Sequence, residues 1–396
     1  MEGFKQGGAG ARAALGVLGA LWMLIGAGSA LAQAKATVQA PAPSSGRVIV
    51  LGQSVPLTGP AKDLGVKMQA GALAYFERVN KDGGVNGAQI ELRTLDDGYE
   101  PDRSKKNTEK FVQDNVFALF GYVGTPTSMA SKPVFEEAKI PFLFAFTGTG
   151  ALRAPHSPLI FNLRASYGQE TERMVDHLWS FGIQKIAIFY QNDAYGQAGL
   201  GGMKAAMAKR KGALMVEGTV ERNTVDVAAA VAKISEANPQ AIVMVSTYAA
   251  TTAFVKAYKA TGRAVPQFFN VSFVGTSALH QALGKDADGV VVAEVMPPYM
   301  NTSLASAREF QELMKASKRE RDIDYTSFEG FLAAKVTVEG LRRAGPNPTR
   351  ESFVKGLEQI KKLDIGDVFI TFSETSHTGS DYVDLIMLRN NGTIAH

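Results

Sequence analysis

The sequence predicts an α/β protein made of two parallel-sheet halves in tandem. Three observations carry this. Short β-type runs alternate with helical patterns of about 10–15 residues, the spacing of βαβ units with right-handed crossovers. The alternation restarts at Tyr167, after four strand-to-helix steps. Glycine is high, 40 of 396 residues, as many tight strand-to-helix connections require.

The elements follow in order. Residues Arg47–Leu57 (RVIVLGQSVPL) are rich in β-branched side chains and read as a strand. A helix follows with Leu64, Met68, Leu73, Phe76 and Val79 on one face, ending at Lys81-Asp82-Gly83-Gly84. Then come strand Gln89–Leu95, helix Ser104–Asn115, strand Phe117–Gly121, helix Ser128–Ala138 and strand Pro141–Phe146. From Tyr167 a helix carries Met174, Val175, Leu178 and Phe181. It leads to strands Lys185–Tyr190, Ala213–Gly218, Ala241–Ser246, Pro266–Asn270 and Gly289–Ala293. Helices Gly199–Lys211, Val225–Ala237 and Thr251–Thr261 and a short one at Ser277–Leu283 separate them. The end of the chain differs, with helices at Ser303–Ala316, Ser327–Ala344 and Arg350–Ile360. Strand-like pieces Val368–Phe372 and Tyr382–Leu388 follow, and then the turn Asn390-Asn391-Gly392. Phe161–Ser166 and Pro297-Pro298 are the expected crossing points between the halves, being extended or proline-restricted.

Composition narrows function. Apolar residues at 45% and charged residues at 20% describe an ordered globular chain rather than a disordered one. No cysteine is present, which removes disulfides, thiolate metal sites, iron–sulfur clusters and thiol nucleophiles. Histidines 156, 177, 280, 377 and 396 are scattered without an HExxH pair, so no metal site is expected. The net charge of +4 comes with no long Lys/Arg block, so no nucleic-acid partner is expected.

The amino-terminal segment reads as an export signal. Lys5 and Arg12 precede an uncharged run, Ala13 to Ala34, that is most apolar from Leu15 to Ile25. Ala30-Leu31-Ala32 then has the A-x-A form of a cleavage site. The rival reading is an uncleaved anchor, since the run is long enough to span a bilayer; four glycines and the A-x-A site favour cleavage after residue 32. Residues 33–46 read as a flexible Ala/Pro/Ser leader.

In open α/β sheets ligands sit beyond the carboxyl ends of the strands. The residues there are Gly124-Thr125-Pro126-Thr127-Ser128, Thr147-Gly148-Thr149-Gly150, Asn192-Asp193-Ala194-Tyr195-Gly196, Thr247-Tyr248 and Ser272-Phe273. Hydroxyls beside helix-start N–H groups suit a carboxylate, and Tyr and Phe give flat apolar walls. The bland alternative is that Thr127 and Ser128 are N-caps and Gly148 and Gly150 turn residues. Enzymatic patterns are weak. No GxSxG elbow or phosphate-binding loop is present, and GQAGLGG at 196–202 lacks both the Lys and the GxGxxG spacing. Asp96 and Asp97 are adjacent on a strand end and point to opposite faces, which argues against a shared acid–base role. Lys209-Arg210-Lys211 ends a helix, where cations complement the dipole.

Five segments carry a family resemblance: SVPLTGPAKDLGVKMQAGALAYFERVNKDGGVNG at 54–87, LDDGYEP at 95–101, ALFGYVGTPTS at 118–128, FNLRASYGQE at 161–170 and IAIFYQNDAYGQAGL at 186–200. Together they resemble the branched-chain-amino-acid-type periplasmic binding proteins of ABC transporters. The resemblance implies a type I clamshell, two Rossmann-like lobes joined by a three-stranded hinge. The lobes are expected to comprise residues 47–163 with 299–366, and 164–298 with 367–396. It implies ligand contacts at Leu64, Thr125, Thr127, Phe146, Thr147, Gly148, Tyr195, Tyr248, Ser272 and Phe273, with a hydroxyl at Thr125 receiving a carboxylate. Amino-acid binders of this family place an acid in the segment where Ser272 and Phe273 stand, and no acid lies between Gln267 and Leu283. They also tend to have Thr at the Gly148 position. An ammonium without a counter-charge is costly to bury. A small organic acid or an aromatic or apolar carboxylate is therefore the expected ligand, and an amino acid or amide the alternative. The resemblance further implies a periplasmic location, delivery to an ABC permease, no catalysis, no cofactor and a monomer. A sensing subunit for a receptor kinase or chemoreceptor is the alternative role. An exported enzyme would need a close carboxylate pair or a nucleophile–base pair in the cleft.

Overall fold

The computed structural model describes residues 46–390 and 394–395. The expected signal segment, the leader up to residue 45 and the turn residues Asn391-Gly392 lie outside the described residues. Among the described residues no helix is long and apolar enough to cross a membrane.

The first half runs β1 (Val48–Val55), α1 (Lys62–Lys81), β2 (Gln89–Asp96), α2 (Pro101–Gln113), β3 (Ala118–Phe120), α3 (Thr125–Glu137), β4 (Phe142–Leu143) and β5 (Ile160–Phe161). Its strands form one parallel sheet in the order β2-β1-β3-β4-β5, with Val48 of β1 opposite Gln89 of β2. The second half runs α4 (Tyr167–Ser180), β6 (Ile186–Gln191), α5 (Ala194–Lys209), β7 (Glu217–Val220), α6 (Ala228–Ala237), β8 (Ala241–Val245), α7 (Tyr248–Ala260), β9 (Gln267–Asn270), α8 (Thr276–Leu283) and β10 (Val291–Glu294). Helices α9 (Ala305–Ala316), α10 (Tyr325–Arg343) and α11 (Arg350–Glu358) follow. The chain ends in the hairpin β11 (Leu363–Asp364) with β12 (Phe369–Ile370), then β13 (Asp384–Leu388) and β14 (Ile394–Ala395). The second sheet has the order β14-β13-β10-β9-β8-β6-β7. It is parallel in its middle, with β13 and β14 antiparallel at one edge. Strands covered on both faces read as unbroken apolar runs, as in β8 (AIVMV), where every residue is buried.

Three stretches link the sheets: residues 162–166, 295–304 and 378–383. The first and third lie side by side, bridged at Asn162 and Thr378. Helix α10 returns to the first half and packs on α1. The crossing is tight because Gly71 and Gly330 stand at it. A methyl group on Gly71 would fall 1.7 Å from the Ser327 carbonyl oxygen, and one on Gly330 would fall 2.3 Å from that of Met68. The boundary read from sequence at residues 366 and 367 falls inside the β11–β12 hairpin. Residues beyond it stay with the first half: Phe372 packs on Phe144 and Phe161, and His377 stacks on Phe161 at 3.7 Å. These aromatic contacts hold the chain back until it enters β13.

Candidate functional site

The carboxyl ends of both sheets face one cleft. On the first lobe, Gly124 adopts φ +104° and caps α3, so Thr125 and Thr127 occupy the helix's first turn. The Thr125 hydroxyl lies 2.6 Å from that of Thr147, which follows β4, and Thr147 lies 3.3 Å from the Tyr167 hydroxyl. All three residues are buried. Two hydroxyls at the positive end of a helix form a donor cluster suited to a carboxylate.

The facing wall is aromatic. Phe273, on the short turn Ser272–Val274, is its centre. Its ring stands 4.6 Å from Tyr195, 5.5 Å from Phe146 and 5.9 Å from Tyr99. Tyr99 and Phe146 come from the first lobe, Tyr195 and Phe273 from the second. Tyr195 is set by Asp193, whose carboxylate accepts the Tyr195 N–H at 2.9 Å and so caps α5. Gln191 donates to the Tyr99 hydroxyl across the cleft at 3.3 Å. Burial pushes the Tyr99 and Tyr195 hydroxyls well above their ordinary range and that of Tyr167 up to about 12, so all three remain neutral.

Beneath these rings lies a charged floor. Arg164 stacks over Phe146 at 4.2 Å and pairs with Glu329 at 3.0 Å. Glu170 accepts the Ser272 N–H at 2.7 Å and its hydroxyl at 3.0 Å. The Thr276 hydroxyl donates to Glu294. Burial pushes Glu170 up to about 7, against the pull of Arg164 and Ser272. Burial also holds Glu294 well above the usual carboxylate range and raises Glu329, which Arg164 opposes. The gap there is about 190 Å³, and its walls stand too close to admit a water molecule. A broader hollow of about 700 Å³ lies elsewhere, between the start of β1 and α11, at the opposite ends of the first sheet's strands.

The structure brings Thr125, Phe146, Thr147, Gly148, Tyr195, Ser272 and Phe273 to this cleft. Gly148 packs under Tyr167, where an added methyl group would stand 2.6 Å from the ring. Leu64 and Tyr248 sit at another part of the inter-lobe contact. Leu64 packs beneath Gly275, and the Tyr248 hydroxyl meets Asp63. Thr127 turns its hydroxyl back to the carbonyls of Val123 and Gly124, inside its own helix. Asp96 and Asp97 point apart as their alternation requires. Asp97 is buried, pushed up by burial to about 7 and bound to Ser54. Asp96 is held low despite desolvation by hydrogen bonds from Thr58, Leu57, Gly98 and Arg103.

Sequence reasoning missed Tyr99, Arg164, Tyr167, Glu170, Glu294 and Glu329. No acid lies between Gln267 and Leu283. The carboxylate that meets Ser272 is Glu170, 102 positions away. The sequence signal for it is the segment RASYGQE, where Arg164 and Glu170 flank the start of α4.

Three comparisons with known proteins bear on the family and the fold. A family model described as "Periplasmic binding protein" matches residues 48–393. The Leu/Ile/Val-binding protein homolog 3 of Brucella melitensis is 24% identical over 340 residues, covering 85% of this chain and 90% of its own. A possible leucine/isoleucine/valine-binding protein from Rhodopirellula baltica has a solved structure similar to this one, with TM-score 0.85 and 32% identity. That match covers 90% of this chain and 98% of the other. A substrate-binding periplasmic protein from Ralstonia solanacearum superposes with TM-score 0.82 and 32% identity over 87% of this chain and 99% of its own. With the model match spanning nearly all described residues, the chain belongs to the periplasmic binding protein family, in its type I, branched-chain-amino-acid-type branch.

Proposed function

We propose that this chain captures a small carboxylate with an apolar or aromatic body between its lobes and hands it unchanged to an ABC-type permease from the periplasm. The observation that carries the reading is the Thr125–Thr147 hydroxyl pair at the start of α3, facing the Phe273–Tyr195 wall of the other lobe. The hydroxyls receive the carboxylate, and the rings enclose the body. Contacts to the second lobe form only on closure. They supply the differential affinity that shifts the population toward the closed form. In this reading the solute leaves unaltered, and the carboxylates beside the cleft serve to hold Ser272, Thr276 and Arg164 in place.

A second reading is an α-amino acid, and one observation favours it. Glu170 and Glu294 lie beside the cleft and can offer an ammonium the counter-charge that residues 267–283 lack. The names of the relatives point the same way. Matched acids separate the two readings. Isocaproate against leucine, and hydrocinnamate against phenylalanine, differ only by the α-ammonium. A thermal-shift panel should show the plain acids raising the melting temperature at least as much as their amino counterparts. Stabilisation by the amino acids alone overturns the first reading in favour of the second. Stabilisation by none of the four overturns both.

A further inference from the structure

We propose that the chamber between Arg164 and Glu329, beneath Phe146, is a second polar subsite that receives an uncharged hydrogen-bonding end of the captured solute, a carboxamide or a hydroxyl. The inference rests on the capture reading and names the solute more closely.

Arg164 is 2% exposed and spends one nitrogen, Nη2, on Glu329 at 3.0 Å. Its Nε and Nη1 have no hydrogen-bond partner, and neither does Oε1 of Glu329. Buried donors and acceptors are nearly always paired, because each unpaired one costs about 1–3 kcal/mol. Here donors and an acceptor are left over on the two residues that wall the same gap. A group that accepts from the guanidinium and donates to the carboxylate answers both, and a carboxamide or hydroxyl does so.

Charge selects an uncharged group. Arg164 and Glu329 already offset each other. Facing them across the gap is Glu294 with Thr276, and Glu170 lies behind Ser272. A second carboxylate would add a negative charge among three carboxyl groups. An ammonium would be pressed against a guanidinium that cannot lose its charge. Arg153, a half-buried cation nearby, is turned away onto the carbonyls of Thr149, Arg164 and Ala165.

Position supports the same end-to-end arrangement. Phe146 touches Arg164, and its neighbour Thr147 touches Thr125, so one short segment spans both polar ends. A solute with its carboxylate at Thr125 therefore runs past Phe146 toward Arg164. Arg164 belongs to the first crossing between lobes, and Thr276 and Glu294 belong to the second lobe. In this structure the lobes meet and the gap admits no water, so the solute's polar end enters with the lobes apart, and Thr276 and Glu294 then close over it less tightly than they stand here.

Titration calorimetry on the wild-type protein with matched acids tests this: hydrocinnamate against its para-hydroxy analogue, and valerate against glutaramate. In at least one pair the distal hydroxyl or carboxamide should tighten binding by about tenfold or more, since a site built to pair a polar group penalises the analogue lacking it. The conservative variant Glu329→Gln should reduce that ratio to below about threefold, and an unchanged ratio in the variant overturns the subsite. Equal or tighter binding of the plain member in both wild-type pairs overturns the subsite and leaves the capture reading standing. Binding of no carboxylate overturns the capture reading, and the subsite with it.

Discussion

At the scale of single residues, Thr125 does two jobs that a substitution can separate. Its hydroxyl bonds Thr147 and, in the proposed reading, the solute carboxylate. Thr125→Ala should weaken binding by roughly 5–150-fold, the equivalent of about 1–3 kcal/mol, and Thr125→Ser should restore most of it, as read by calorimetry. Unchanged affinity in the alanine variant would remove Thr125 from the site. Glu170 makes a pH prediction. Burial raises its carboxyl from 4.5 to about 7. The folded state therefore keeps a proton that the unfolded chain gives up near its ordinary pKa. Stability contributed by that proton is full below about pH 4.5 and falls as pH rises toward about 7. Asp97 acts in the same direction, raised to about 7, whereas Asp96 is lowered, so its opposing effect lies in more acid solution. The melting temperature should fall between about pH 5 and pH 7, and Glu170→Gln should flatten that slope. A slope identical in the variant contradicts the burial account of Glu170. Residues such as Thr125, Thr147 and Phe273 were legible because they follow strands in a local pattern. Arg164, Glu170 and Glu329 were not, because a lone charge in a sequence does not disclose a partner contributed by a distant segment.

Among elements, strands and helices were readable, and helix starts only in part: α4 and α11 begin at Tyr167 and Arg350 as read, and three others do not. Helices α3, α5 and α7 begin at Thr125, Ala194 and Tyr248, each three to five residues before the start read from periodicity. Hydroxyl, glycine and aromatic residues are modest helix formers, so propensity discounts them. Caps at Gly124, Asp193 and Thr247 and tertiary packing recruit them nonetheless. The consequence is functional, since it puts Thr125, Tyr195 and Tyr248 in first turns rather than in free loops. Strand β5, two residues long, carried no periodic signal at all. The crossing of α1 and α10 supplies a prediction whose sign discriminates. Gly71→Ala should gain about 1 kcal/mol if helix propensity decided the outcome. The backbone of Ser327 lies 1.7 Å from the added carbon, so the variant should instead melt lower or fail to accumulate folded. A raised melting temperature would contradict this close packing.

For the whole molecule, the two-sheet architecture followed from alternation alone, but how the lobes meet did not. Contacts across the mouth include Glu100 with Arg222 at 2.9 Å and with Asn223 at 2.7 Å. These pairs are partly exposed, so each contributes at most about 1 kcal/mol. Glu100→Ala should shift the lobes toward the open form, enlarging the radius of gyration in solution scattering and weakening solute binding by roughly twofold to fivefold. An unchanged radius and affinity would mean that the mouth contacts do not hold the lobes together. The account as a whole stands on where the solute sits, and a crystal structure with the acid that most raises the melting temperature addresses this most directly. The account predicts density for its carboxylate at Thr125 and Thr147, with its body against Phe273 and Tyr195 and both lobes in contact with it. Density confined to one lobe, or to the hollow beside Arg350, would contradict it.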